Sequence, residues 1–138
     1  MRFHRDDRDI EGNGRANDLR GSNAAEEIRG RGGNDTLFGG GGGGGADRLR
    51  GDKGDDRLTG GAGRDRFIFN TGGGGDAVTD FTEGQDRLDL TNFGFGNAAE
   101  ALATAAQDGS DVVLAIGDMT ITLQGVAPGS LDAGDLLL

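Results

Sequence analysis

The chain of 138 residues has no cysteine, which excludes disulfides and thiolate metal sites. Its one histidine, His4, all but excludes a zinc site built on imidazoles. It has one proline and neither tryptophan nor tyrosine, and only 33% of its residues are hydrophobic, so a conventional core would be thin. No segment approaches the length of a transmembrane helix. The opening MRFHRDDRDIEG lacks the apolar stretch of a Sec signal peptide. No H-E-x-x-H helix is present, and His4 has no nucleophile near it among Ser22, Ser110 and Ser130, so no catalytic site is legible. Gly-rich turns can cradle phosphate, but there is no G-x-x-x-x-G-K-[ST] loop leading into a helix, which argues against nucleotide binding. No nucleic-acid partner is expected. What the chain has in plenty is glycine, 30 residues, and acid, with a formal net charge of −10. A chain so acidic and so poor in aromatics should stay expanded unless cations neutralise its carboxylates.

The glycines and aspartates are not scattered. Four nine-residue units, GRGGNDTLF at 30–38, GGGGADRLR at 42–50, GDKGDDRLT at 51–59 and GGAGRDRFI at 60–68, follow G-G-x-G-x-D-x-U-x, where U is a large apolar residue. The U rhythm runs beyond them. Ile10, Leu19, Ile28 and Leu37 are nine apart. Leu49 follows after three extra residues, Gly39 to Gly41, and Leu58 and Phe67 return to nine. Val78 and Leu88 complete nine half-turns with small insertions. Two residues before each U stand Arg8, Asn17, Glu26, Asp35, Asp47, Asp56, Asp65, Asp76 and Asp86. The last six are aspartate. The first three are not, and Arg15 and Ala24 replace turn glycines, so residues 1–29 read as degenerate coils that keep the core side chain.

In each unit x-U-x suits a short strand with U pointing inward, because strand side chains alternate. The six residues before it suit a turn in which glycine supplies positive φ and lets the backbone approach an ion. Aspartate adds a hard oxygen of the kind Ca²⁺ takes. A single unit cannot bury its apolar residue, but stacked units can. A flexible Gly/Asp linker is the bland alternative, yet a linker has no reason to keep this period.

The pattern resembles the calcium-binding nonapeptide of the RTX (hemolysin-type) repeat proteins. The stretch DAVTDFTEGQDRLDLT, from Asp76 to Thr91, is similar to the segment that follows the β-roll in serralysin-type proteases. There Asp76, Asp80, Phe81, Gly84, Asp86, Leu88, Asp89 and Leu90 match position by position. Alginate-epimerase R-modules are similar too. The resemblance covers about residues 30–138. It implies an all-β fold, a right-handed parallel β-roll with a C-terminal antiparallel cap and one short helix. It further implies several Ca²⁺ ions, each between turns two units apart. These pair Asp35 with Asp56, Asp47 with Asp65, Asp56 with Asp76 and Asp65 with Asp86. The turn backbone would complete the sites at Gly30, Gly32, Gly33, Gly42, Gly45, Gly51, Lys53, Gly54, Gly60, Ala62 and Gly63, with Asp80 and Asp89 following. The seven glycines from Gly39 to Gly45 exceed what a turn needs and read as a slack loop that weakens the Asp47 site.

The expected organisation is a cap of degenerate coils at 1–29, a calcium-binding roll at 30–90 and a C-terminal cap at 91–138. Within the last, 98–107 reads as one short helix, and 111–116 with 119–124 as a hairpin turning at Gly117-Asp118. Asp135 followed by three leucines resembles the acidic-then-hydrophobic end of an uncleaved type I secretion signal. The resemblance thus implies a secreted, extracellular bacterial protein that meets the type I secretion machinery and folds on Ca²⁺ outside the cell. Alternate units share a sheet, which collects Arg29, Arg48, Arg50, Arg66 and Arg87 on one outer face. That face is either a binding surface for an anionic polysaccharide or a set of counter-charges to the aspartate rows; the second reading is preferred.

Overall fold

The computed structural model describes residues 9–21, 27–40, 47–61, 63–70, 74–82, 85–117, 119–126, 131 and 133–138. Nine short strands follow the nine-residue rhythm: β1 (Asp9–Glu11), β2 (Asp18–Arg20), β3 (Glu27–Arg29), β4 (Thr36–Phe38), β5 (Arg48–Arg50), β6 (Arg57–Thr59), β7 (Arg66–Ile68), β8 (Gly75–Val78) and β9 (Arg87–Asp89). Three residues cannot bury a face alone, so each strand leans on the strand two units away. Odd strands form one parallel sheet and even strands the other, with every U paired to U in register.

The result is two facing stacks of side chains. Ile10, Ile28, Leu49, Phe67 and Leu88 line one sheet; Leu19, Leu37, Leu58 and Val78 line the other. From Ile28 onward every one of them is fully buried, whereas Ile10 and Leu19 are partly buried at the N-terminal end. Each buried Leu, Ile or Phe is worth roughly 1.5–3 kcal/mol of apolar transfer, so the thin core is carried by the stack.

The C-terminal residues continue both sheets. A helix α1 (Ala98–Leu102) leads to β10 (Ala105–Asp108), β11 (Asp111–Ile116) and β12 (Met119–Leu123), and β13 (Leu136–Leu137) ends the chain. β12 adds parallel to β8, and β11 and β10 follow antiparallel; β13 adds parallel to β9. The expected hairpin is present, although Asp118 lies outside the described residues. The expected helix over 98–107 is corrected: it stops at Leu102, capped by Asn97, whose side chain accepts the Glu100 N–H. Residues 105–108 are instead an edge strand, because β11 offers them a ladder that outweighs their helix propensity.

Candidate metal centre

The turns stack in two columns, one on each side of the roll, and the aspartates stand in line within them. In the first column the Asn17 N–H donates to Asp35 Oδ1 at 2.8 Å, Asp35 N–H to Asp56 Oδ1 at 2.8 Å, and Asp56 N–H to Asp76 Oδ1 at 2.9 Å. In the second, Asp47 N–H donates to Asp65 Oδ1 and Asp65 N–H to Asp86 Oδ1, both at 2.9 Å. The four pairs are those that the spacing anticipates. Each rung is braced again through the backbone: Arg57, Arg66, Ala77 and Arg87 N–H groups donate to the carbonyls of Asp35, Asp47, Asp56 and Asp65.

In three of the aspartates one carboxylate oxygen is therefore spent on the fold and the other is left over, while Asp86 Oδ2 accepts the Thr82 N–H at 2.9 Å. Oδ2 of Asp35, Asp56 and Asp65 is buried without a hydrogen-bond partner. Each is aimed at the first glycine of its own turn: a Cβ on Gly30, Gly51 or Gly60 would collide with Oδ2 of Asp35, Asp56 or Asp65. A buried carboxylate oxygen with nothing to accept from is costly unless a cation meets it. All six aspartates are at most 3% exposed. Burial, the largest cause in each case, pushes the Asp56 carboxyl up to about 8 and those of Asp65 and Asp76 to about 7. Asp35 and Asp86 are raised by the same cause.

The donors are oxygens, hard and anionic, beside glycine backbone that comes close enough to add carbonyls. This set fits Ca²⁺. Among the described residues no three His, Cys, Asp or Glu side chains converge, so backbone carbonyls must make up each coordination shell. Gly33, Gly54 and Gly63 have φ of +87°, +106° and +96°, and a Cβ on Gly54 would strike the Gly33 carbonyl of the turn before. Gly32 has room, with Gly14 Cα the nearest atom at 3.6 Å, and Lys53 is exposed.

Some expected residues fall elsewhere. Gly42, Gly45 and Ala62 lie outside the described residues. Beside Asp47 the place of first glycine is taken by Gly39, whose Cβ would lie 2.5 Å from Asp47 Oδ2. Asp80 stands off the ladder and accepts the Gly60 and Gly61 N–H groups with its two oxygens, at 2.9 and 2.8 Å. Asp89 caps the next turn, accepting from the Thr91 N–H and hydroxyl. Asn17, the Asx residue two before Leu19, holds its ladder position without an aspartate's charge, its Oδ1 accepting the Asn13 N–H at 2.9 Å. A second row runs beside the ladder that the two-before-U spacing does not predict: Asn34 Oδ1 accepts Asp55 N–H and Asp55 Oδ1 accepts Gly75 N–H, each at 2.8 Å.

On the outer face of the odd-strand sheet, the register sets Arg48 beside Arg66 and Arg66 beside Arg87, with Arg29 beside Arg50 in the next column. Arg29 is already paired with Glu27 at 3.4 Å, so it leaves the basic group.

A family model for the RTX calcium-binding nonapeptide repeat, in four copies, matches residues 11–43 and 41–76. No curated protein sequence matches the chain. Among solved structures, the extracellular lipase LipA from Serratia marcescens matches with a TM-score of 0.81 and 27% identity. The match covers 94% of this chain, which spans only 20% of the lipase. The AlgE6R2 subunit of the Azotobacter vinelandii mannuronan C5-epimerase matches with a TM-score of 0.72 and 32% identity, over 94% of this chain and 91% of that one. The AlgE6R3 subunit of that epimerase gives 0.69 and 31%, over 91% and 80%.

Proposed function

This chain belongs to the RTX calcium-binding repeat family, and on that premise we propose that it is a folding switch of an exported bacterial protein. It is a structural module that binds several Ca²⁺ ions. Asp35, Asp47, Asp56, Asp65, Asp76 and Asp86 hold them, with carbonyls of the turn glycines completing each shell. Asp80 and Asp89 keep the turns in place. The unspent Oδ2 atoms carry this reading, since a ladder built to close on itself would not bury acceptors without donors.

In a calcium-poor cytosol the carboxylates repel and the chain stays extended enough to thread a type I exporter. Outside the cell the ion binds only the stacked turns and stabilises them by RT ln(1 + [L]/Kd) per site. With Kd values of about 10⁻⁴ M, usual for extracellular modules, millimolar calcium supplies about 1–3 kcal/mol per ion. Residues 30–90 form the switch, 1–29 its entry coils and 91–138 a cap carrying the export signal. Far-UV circular dichroism along a calcium titration from EGTA, with magnesium as control, tests this. A cooperative rise in β signal with calcium alone is expected; a spectrum already folded in EGTA would refute the switch.

A further inference from the structure

The arginine column ends at a cleft. Arg64, Arg66, Gln85 and Arg87, with Asp65, Asp86 and Gly134, line a depression of about 230 Å³. Two units build it. Arg64-Asp65-Arg66 comes from one turn and Gln85-Asp86-Arg87 from the next turn of the same column. In each, the aspartate gives its Oδ1 to the ladder and stands between its two neighbours in the cleft lining.

Arg48, Arg66 and Arg87 sit on adjoining rungs whose backbones are roughly 4.8 Å apart, and like charges directly opposite each other are destabilising. The protein has 24 acidic residues against 14 basic ones. Even so, among the described residues Arg48, Arg64, Arg66 and Arg87 make no ion pair, whereas Arg20, Arg29 and Arg31 do. Counter-charge to the aspartate rows does not explain this, because the ladder carboxylates are buried and, among the described residues, none of these arginines pairs with one. On the same face Arg50 Nε is buried without an acceptor.

We propose that this cleft binds an oxyanion, and that the calcium ladder assembles it. Guanidinium forks match a carboxylate or sulfate group in two-point fashion, and the Gln85 amide adds a neutral donor. Arg66 and Arg87 come into register only when the Asp65 N–H meets Asp86 Oδ1, the contact that calcium would lock. Anion and calcium affinities are therefore linked, and each must raise the other by the same factor. The coupling rests on the calcium reading above. The group is either a free small anion or the same group on an extracellular polymer.

The test uses the full chain with inorganic sulfate at a few millimolar, chloride holding ionic strength constant, and the double variant Arg66→Ala/Arg87→Ala beside Arg57→Ala on the other sheet. The circular-dichroism midpoint for calcium should fall about fivefold with sulfate, the low end of usual coupling. It should fall equally in Arg57→Ala and not in the double variant. NMR of the calcium-loaded chain should show sulfate shifting the amides of 64–66 and 85–87. Short dextran sulfate that also shifts 48–50 would identify a polymer-borne group, and its absence there a free anion. Folding with calcium but no sulfate shift, or a shift undiminished in the double variant, would overturn the anion site while leaving the calcium reading intact. No folding with calcium would overturn the latter.

Discussion

Asp35, Asp56 and Asp65 each divide their oxygens between two tasks. Oδ1 accepts the backbone N–H of the preceding rung and Oδ2 faces the first glycine of its own turn. Asp56→Asn separates them. The amide keeps an acceptor for the Asp35 N–H but removes the charge. One or two calcium ions should be lost by isothermal titration calorimetry, and the calcium midpoint should rise severalfold. The metal-free chain should gain β signal at neutral pH, since the buried charge is gone; a loss of β signal there would mean Asp56 acts only as a brace. The same charge sets the pH dependence. The carboxyls of Asp35, Asp56, Asp65, Asp76 and Asp86 are raised by burial, so in the metal-free chain their contribution to stability is complete below about 4, the unfolded carboxyl range. It is lost as pH rises through about 7 for Asp65 and Asp76 and about 8 for Asp56. Without calcium, circular dichroism should therefore show more structure at pH 5 than at pH 8. With calcium the order reverses, because the ion competes with protons and binding releases them. Calorimetry in buffers of different ionisation enthalpy reads that release.

In the turn element, two glycines of one unit make opposite demands. A Cβ on Gly30 collides with Asp35 Oδ2, while one on Gly32 meets Gly14 Cα at 3.6 Å and the Gly14 carbonyl oxygen at 3.9 Å, ordinary contact distances. Gly30→Ala should cost about 1–3 kcal/mol, the usual range of overpacking, and Gly32→Ala less than about 0.5 kcal/mol, read as calcium-loaded thermal midpoints. Equal losses would mean that the turn tolerates no side chain anywhere. The second position of the unit tells the same story from the other side: Arg31 and Asp52 hold φ of +68° and +63° where the repeat calls for glycine. Strands and ladder were legible in the sequence because the period fixes both: every U from Ile10 to Leu88 falls within a strand, and the aspartate pairs follow from counting two units on. Legibility failed where the count slips or where tertiary contact decides. Seven consecutive glycines conceal which one faces Asp47, and the structure sets Gly39 there. Alanines 105 and 106 carry no strand propensity, and only the open edge of β11 makes them a strand. Asp80 and Asp89 stand outside the two-before-U position, and the turn N–H groups that they accept from are set by the fold rather than by the period.

For the whole molecule, cooperativity is decided at the C-terminal rung. Leu136 is 7% exposed and extends the stack over Leu88, its partner in the β9–β13 ladder. It touches no ladder aspartate in sequence or register, so Leu136→Ala perturbs calcium only through the fold. Removing most of its side chain should cost about 2 kcal/mol. In a solenoid each unit contacts only its neighbours, and two limits follow. If the roll folds as one body, the loss is shared among the ions of the four aspartate pairs, and the whole titration curve moves to about twofold higher calcium without broadening. If the rungs fold separately, the loss falls on the nearest ion alone. That ion then weakens about thirtyfold and leaves a shallow tail while the rest of the curve stays in place. The shared limit is expected, because both aspartate columns hang from the same two facing stacks and neither can close a rung without the other. Four divalent ions would also cancel eight of the ten net negative charges, so each ion bound lowers the repulsion opposing the next. A calcium titration of Leu136→Ala by circular dichroism, overlaid on that of the unmutated chain, separates a parallel shift from a tail. A tail would mean that the C-terminal cap folds apart from the roll it closes.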